Sequence, residues 1–385
     1  MFNFFKIQIN NNRIYGLDIL RALAIFFVVL DHSKHTLQNS GSQIINELSQ
    51  AYSWYLRFLV FDGVSIFFVL SGFLIGNILI KTFDKGDLSF KNLLNFWIKR
   101  WLRTLPNYLF ILSLLIFLSS IYAERFNLKE AYLYYFFIQN FNIPHPDFFP
   151  EAWSLSVEEW FYLLIPLLIL SLSILVKSSF KLSFIIIALL ILILSTLIRY
   201  HYNISGLISS HEAWSLFLRK QIITRLDSLM YGLIGAYIFY FYSDRWHRYA
   251  IPLFIIGVFL LFLDKYLLLY NSTIGSLYKN VFSFSMTSIA VLFILPFMEN
   301  KKHGTGFFYL MITYISIISY SMYLLNLTLL QKWIFYPLPF YINNPIILSI
   351  SKFLLYWTLT FFLSVLMYKI IELPFMKMRN HLTIK

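Results

Sequence analysis

Apolar stretches long enough to cross a bilayer recur along almost the whole chain. A helix needs about 20 mostly apolar residues to span the roughly 30 Å hydrocarbon core of a membrane. Only 13% of the 385 residues are charged, against about 25% in a soluble domain. The sequence therefore predicts an all-α fold, a polytopic transmembrane bundle of about ten spans. These lie near 15–36, 58–80, 104–123, 153–176, 182–200, 224–242, 250–268, 280–298, 307–330 and 346–368.

The distribution of charge predicts how this bundle is oriented. Lysine and arginine concentrate in the N-terminal segment, in alternate connecting segments and in the C-terminal tail. Such an excess is typical of the cytoplasmic side, so both termini are predicted to be cytoplasmic. The net charge of +13 follows this topology and does not indicate nucleic-acid binding. We expect one integral-membrane domain over residues 1–385, with no fused extracytoplasmic domain. The absence of cysteine excludes disulfides, thiolate metal sites and a cysteine acyl-enzyme.

The first span carries ionisable residues along one helical face. Arg21 and His32 are eleven residues apart, which returns to nearly the same face about 16 Å along the axis. Asp18 lies one turn before Arg21. Charges inside a membrane usually face an internal pathway or site, although a snorkelling arginine and a histidine bonded to a neighbouring helix give the same pattern. The predicted orientation places Arg21 near the cytoplasmic face and His32 toward the outer face.

Polar groups also occur in the second and third spans. Ser71 lies among small residues that allow close helix packing or leave room for a ligand. Arg100 and Arg103 precede Pro106, a residue typical of a helix start. We therefore expect these cations beside the N-terminus of the third span, where they would bind a phosphate group or lipid headgroups.

The fourth and sixth spans carry carboxylates. Glu158 is predicted to lie about one turn inside the fourth span, beside His32, and to orient that residue as a general base. Arg225 and Asp227 are two residues apart, so their side chains point to different faces of a helix. Each is expected to pair with another helix, either as a structural contact or as a lining of the site.

Taken in order, these segments resemble the acyltransferase-3 family of bacterial inner-membrane O-acyltransferases. Arg21 and His32 match the Arg/Lys-x10-His pattern of that family, and Trp153–Glu158 matches its most distinctive string. One departure is Asn326, where the family usually has histidine. The remaining matches are Phe67–Phe73 in the second span, Arg100, Arg103, Pro106 and Tyr108 in the third, a weaker one at Arg225, Asp227 and Gly232 in the sixth, and the closing Glu372–Phe375.

The resemblance implies a multi-pass enzyme of the bacterial inner membrane. Acyl-CoA, most often acetyl-CoA, would be the co-substrate, with no permanently bound cofactor and no metal. The acceptor would be a hydroxyl of a cell-surface glycan such as lipopolysaccharide O-antigen, and membrane lipids would surround the bundle. His32 and Glu158 would be catalytic. The donor would be bound by Arg21, Arg100, Arg103 and Ser71, with support from Asp18, Tyr108, Trp153, Ser156, Arg225 and Asp227.

Two other classes fit parts of the pattern. A transporter or flippase of a lipid-linked glycan would also carry buried charges in ten spans, and it would move its substrate without consuming a thioester. A signalling or assembly scaffold would leave His32 dispensable. The ordered motifs and the lack of a convincing internal repeat favour the enzyme, because many transporters are built from repeats.

Overall fold

The computed structural model describes residues 13–34, 58–83, 89–122, 130–177, 179–271, 275–335 and 344–381, with a few isolated positions between them. Within these ranges the chain is helical and contains no strand. The predicted polytopic helical bundle is therefore confirmed, whereas the cytoplasmic position of the termini and the single domain over residues 1–385 stay predictions. The ten long helices are α1 (Tyr15–Ser33), α2 (Gly63–Phe83), α3 (Phe90–Ile121), α4 (Ala152–Leu175), α5 (Phe180–Ile204), α6 (Ile222–Phe241), α7 (Ala250–Tyr270), α8 (Tyr278–Asn300), α9 (Gly306–Phe335) and α10 (Pro345–Arg379).

Nine of the described helices, α2 to α10, are long and apolar enough to cross a membrane. The remaining long helix, α1, has 19 residues but carries Asp18, Arg21 and Asp31. Its apolar side chains are divided between two environments. Leu20, Ala24 and Ile25 are buried against neighbouring helices, whereas Leu23 and Phe26 are more than 40% exposed, as side chains in contact with lipid would be. Apart from its charged residues, α1 therefore has the apolar surfaces of a membrane-spanning helix, one packed against other helices and one exposed.

A close backbone contact joins α2 and α6. A Cβ atom on Gly72 would lie 2.0 Å from the carbonyl oxygen of Leu229, and one on Gly232 would lie 2.0 Å from that of Val69. Each helix therefore contributes a glycine at which the other helix touches its backbone, as small residues permit in membrane bundles. The packing interpretation of the second-span glycines is confirmed.

Helix α3 begins well before the predicted start of the third span. Ser89 caps its N-terminus by accepting a hydrogen bond from the Asn92 amide at 3.3 Å, and Pro106 lies inside the helix. The prediction that Arg100 and Arg103 flank a helix N-terminus is therefore wrong. Membrane helices tolerate an internal proline where neighbouring groups bond the backbone nearby. Here the Tyr320 hydroxyl donates to the carbonyl of Thr104 at 2.8 Å.

The described part of the connection between α3 and α4, residues 130–151, is packed against both helices. It contains a short helix, Ala131–Tyr135, whose Tyr134 carbonyl accepts a hydrogen bond from the Tyr108 hydroxyl at 2.9 Å. Gln139 donates to the Ser156 hydroxyl at 2.5 Å. Tyr108 and Ser156 thus fix this connection, which precedes the helix that carries Glu158.

His145 lies in the same connection and is only 4% exposed. Neither of its ring nitrogens has a hydrogen-bond partner among the described residues, and the ring packs edge-on against Tyr134. Burial lowers the pKa of His145 from 6.5 to about 3. Between these two values the unfolded chain binds a proton that the folded protein does not, so stability falls as the pH falls through this window.

We expect His145→Leu to weaken the acid sensitivity of the protein. At pH 5 the buried histidine costs about 2 kcal/mol of stability relative to neutral pH, and the substitution removes this term. The measurement is the thermal unfolding midpoint in nanodiscs at pH 7 and pH 5. Exposed His303 provides a matched control, His303→Leu, which should retain the wild-type drop. Equal drops in all three proteins would contradict this assignment.

Candidate active site

Two adjoining cavities lie inside the bundle. The larger one, the histidine cavity, has a volume of 780 Å³ and is lined by His32 together with residues of α2, α7, α8 and α9 and of the segments before α4 and α6. The smaller one, the arginine cavity, has a volume of 120 Å³ and is lined by Arg21 and by residues of α2, α3, α4 and α9. Val64 and Tyr323 line both cavities. Arg21 and His32, on one helix, therefore lie in neighbouring cavities.

The arginine cavity brings three guanidinium groups together. Arg100 and Arg103 enter from α3 and face Arg21 of α1. Arg21 is held by Ser316 at 3.5 Å and by Asp18 at 3.7 Å. Asp18 also pairs with Arg13, so its carboxylate is shared between two arginines. The cavity therefore has a surplus of positive charge.

Glu158 lies in the arginine cavity as well. Its Oε2 atom accepts a hydrogen bond from the Tyr162 hydroxyl at 2.8 Å, and that hydroxyl lies 2.8 Å from Ser71 Oγ. Within the described residues no hydrogen bond joins Glu158 to His32, so the prediction that Glu158 orients His32 is wrong. The reason is depth along the helices. Glu158 lies six residues into α4, about 9 Å from its start, whereas His32 is next to the last residue of α1.

The partner of His32 is Asn326. The Asn326 amide nitrogen donates to the carbonyl oxygens of Met322 and Tyr323 at 2.9 and 2.8 Å. This fixes the orientation of the amide and directs Oδ1 toward His32 Nδ1, 2.5 Å away. Because a carbonyl oxygen can only accept, Nδ1 carries the hydrogen in the neutral ring, and Nε2 is left able to accept a proton. This is the tautomer that a general base requires.

The backbone around His32 is also held in place. Gln331 donates to the His32 backbone carbonyl at 2.5 Å. Asn326 and Gln331, the two residues that contact His32, both belong to the π-helical part of α9, Asn326–Phe335. Such segments are rare and often occur at functional sites. Asn326 contacts the His32 ring and Gln331 its backbone carbonyl, so this segment lies against the end of α1.

Arg225 and Asp227 pair with different helices, as predicted. Arg225 donates to Ser65 Oγ at 2.8 Å and lies 3.8 Å from Asp62, both near the start of α2. Asp227 binds Arg199 of α5 at 2.7 Å. All the pairs are buried except at Asp62, whose side chain is 29% exposed and lines the histidine cavity. Arg225 thus supports the wall of that cavity from behind.

A family model described as an acyltransferase domain matches residues 14–369. The chain belongs to the acyltransferase-3 family. Among curated proteins it is similar to the peptidoglycan O-acetyltransferase OatA of Listeria monocytogenes, with 32% identity over 170 residues, 40% of this chain and 24% of that protein. It is also similar to the O-acetyltransferase OatA of Staphylococcus aureus, with 29% identity over 167 residues, again 40% and 24%.

The matched part spans about a quarter of the length of these curated relatives. No solved structure matches the chain. The acyltransferase-3 match includes every residue that lines either cavity. The two cavities therefore belong to the part of the chain that defines the family.

The structure groups most of the site residues expected from the acyltransferase-3 resemblance into these cavities. The arginine cavity contains Arg21, Ser71, Arg100, Arg103 and Glu158, and the histidine cavity contains His32 and Trp153. Tyr108, Ser156, Arg225 and Asp227 line neither and make structural contacts, and Asp18 acts on the cavity through Arg21. Sequence reasoning missed Tyr323, which lies where the two cavities meet, and Arg219 in the histidine cavity, which resembled an ordinary loop charge.

Proposed function

We propose that the protein is a membrane O-acyltransferase that moves an acyl group, in the simplest case acetyl, from acyl-CoA to a hydroxyl of an extracytoplasmic glycan. One observation carries this proposal: the cavity that contains three arginines lies next to the cavity that contains the histidine base. CoA has phosphates at one end and a thioester at the end of a long flexible arm. Phosphates at Arg21, Arg100 and Arg103 would allow that arm to pass Val64 and Tyr323 and reach His32.

The chemistry then follows from the tautomer of His32. Nε2 takes the proton of a sugar hydroxyl while the hydroxyl oxygen attacks the thioester carbonyl carbon. The carbon–sulfur bond breaks, and the proton passes from Nε2 to the departing sulfur, which leaves as the CoA thiol. Asn326 Oδ1 keeps Nδ1 protonated and stabilises the imidazolium that forms between the two proton transfers.

Glu158 receives a different role from the one expected of it. It lies among the arginines and is bonded to Tyr162, so we assign it to the donor site. There its carboxylate offsets part of the positive charge when no phosphate is bound. Ser71, which contacts the same tyrosine hydroxyl, belongs to this donor site as well.

Direction across the membrane follows from where CoA is made. A cytosolic donor requires the arginine cavity to face the cytoplasm, which places both termini there, in agreement with the distribution of lysine and arginine. The histidine cavity then faces outward, in a bacterial inner membrane. For the acceptor we propose a surface glycan and name two candidates. They are lipopolysaccharide O-antigen, implied by the resemblance, and peptidoglycan, named for the Listeria relative.

We expect Arg21→Ala to weaken acetyl-CoA binding by at least about tenfold, since it removes a charge-assisted contact to phosphate. The measurement is binding and slow hydrolysis of radiolabelled acetyl-CoA by protein in nanodiscs. Exposed Arg248 provides the control variant Arg248→Ala, which lies outside both cavities and should bind as the wild type does.

The wild type decides between the function classes in the same experiment. A folded wild-type protein that neither binds nor hydrolyses acetyl-CoA would overturn the donor assignment. In that case movement of a lipid-linked glycan without thioester consumption becomes the leading function. Equal binding by wild type and Arg21→Ala would show that the donor phosphates lie elsewhere.

A further inference from the structure

The histidine cavity contains more cations than the proposed mechanism uses. Among the described residues, five lysines and arginines line it, and three of these are already engaged. Lys34 pairs with Asp31 at 3.0 Å. Lys265 donates to the Val60 carbonyl at 2.5 Å. Lys279 lies 3.1 Å from the His211 ring nitrogen and over the ring of Trp214. The remaining two, Arg219 and Lys220, are adjacent in sequence.

In the described part of the chain, no hydrogen bond or ion pair engages the charged groups of Arg219 and Lys220. The Arg219 guanidinium lies 5.9 Å from the centre of the Trp153 ring, a weak contact. Both side chains are half-buried, so neither group is fully hydrated. Arg219 and the neighbouring Lys220 are thus cations at the cavity wall that have no direct ion pair among the described residues.

The carboxylates of the same cavity are otherwise engaged. Asp62 accepts from Ser65 at 2.6 Å. Asp264 accepts from Tyr278 and Thr287 at 2.5 and 2.8 Å. Glu151 accepts from the amide and hydroxyl of Thr328 at 3.0 and 2.5 Å, and Asp31 is bound by Lys34. Each of these carboxylates therefore has a direct hydrogen-bond or ion-pair partner other than Arg219 and Lys220 among the described residues.

The backbone under these two cations is fixed. Asn140 is fully buried. Its side-chain amide donates to the Lys220 backbone carbonyl at 2.5 Å, and its backbone carbonyl accepts from the backbone amide of Ile222 at 3.1 Å. Arg219 ends the π-helical turn Trp214–Arg219. Burial and the charge of Arg219 both lower the pKa of Lys220, as expected where positive charges are crowded. Arg219 and Lys220 are therefore two positive side chains on a fixed backbone, an arrangement that suits an anion.

We infer that Arg219 and Lys220 form a subsite for a negatively charged group, a phosphate or a carboxylate, of the glycan acceptor. The guanidinium fork suits two oxygens of such a group. The rings of Trp214 and Phe284 stack on each other in the same wall, with centroids 5.5 Å apart, so the wall beside the two cations is partly apolar. This inference rests on the proposed function and narrows its acceptor to an acidic glycan or a glycan joined to lipid through phosphate.

The test measures binding of three probes to the protein in zwitterionic nanodiscs. The probes are a trisaccharide ending in glucuronate, its neutral glucose counterpart and farnesyl diphosphate, so that a sugar carboxylate and a lipid phosphate are distinguished. The variants are Arg219→Gln, Lys220→Gln and the double variant, with exposed Arg248→Gln as the control. We expect at least one charged probe to bind, the neutral sugar to bind at least tenfold more weakly, and each substitution to cost about tenfold. Wild-type affinity should also fall between low and high salt, which tests the inference even if the double variant does not fold.

Acetyl-CoA binding, measured on the same samples, separates this inference from the proposed function. Equal binding of charged and neutral sugars, or of charged probes to wild type and variants, would overturn the subsite. If the double variant lost acetyl-CoA binding as strongly as Arg21→Ala does, the two cations would hold the donor and the inference would be wrong. If acetyl-CoA does not bind but the charged probe does so through Arg219, the subsite stands and the acyltransferase mechanism fails.

Discussion

Replacing His32 with alanine should abolish acyl transfer in a protein that still folds and still binds donor. A general base contributes about 10²- to 10⁴-fold to a rate, so we expect transfer and acetyl-CoA hydrolysis to fall by about three orders of magnitude. His32 lies at the end of α1, so truncation of its side chain removes the contact to Asn326 but leaves the contact of its backbone to Gln331. Donor binding at Arg21, in the neighbouring cavity, should change little.

Two further variants show whether the loss belongs to catalysis. His303→Ala removes an exposed histidine outside both cavities and should transfer at the wild-type rate. Asn326→Ala leaves His32 in place but no longer fixes the hydrogen on Nδ1. We therefore expect a smaller loss of transfer rate than in His32→Ala, with the affinity for acetyl-CoA unchanged. Radiolabel incorporated into the glycan fraction is the measurement. Wild-type transfer by His32→Ala would refute the mechanism and favour a scaffold.

Gly72→Ala and Gly232→Ala should each greatly reduce the amount of folded protein. A Cβ at either position would lie 2.0 Å from a backbone carbonyl oxygen of the facing helix. Real Cβ atoms essentially never approach another atom within 3.0 Å, so α2 and α6 would have to separate by about 1 Å. Overpacking against side chains costs about 1–3 kcal/mol. Here the obstacle is backbone, so we expect a cost at the upper end of that range or above it.

The control adds bulk to the same helix without the clash. Ile78 of α2 is 36% exposed, so Ile78→Phe should yield folded protein at the wild-type level. Monodisperse protein recovered from membranes and its thermal unfolding midpoint are the measurements. Wild-type yields and midpoints for both glycine variants would mean that α2 and α6 are not in backbone contact.

The sequence alone determined the class of fold and the family. Helix length in a membrane is set by bilayer thickness, which is why apolar runs predicted the bundle. Spacing on a helix is set by backbone geometry alone, which is why the shared face of Arg21 and His32 and the separate partners of Arg225 and Asp227 could be foreseen. The grouping of Arg21, Arg100, Arg103 and Ser71 followed from the family strings.

Tertiary structure decided whatever depends on how helices are set against one another. The start of α3 was missed because charged residues at 99–103 resemble a loop, yet they are stable in a helix whose arginines face an internal cavity. Glu158 was assigned to the wrong cavity because depth depends on where α4 begins and on how it is rotated, which its own sequence does not specify. Asn326 became the partner of His32 through a π-helical segment of α9, and Arg219 gained importance because no described residue forms a direct ion pair with it. Spacing along a helix is a local property of the backbone, whereas depth, rotation and charge compensation arise only between helices.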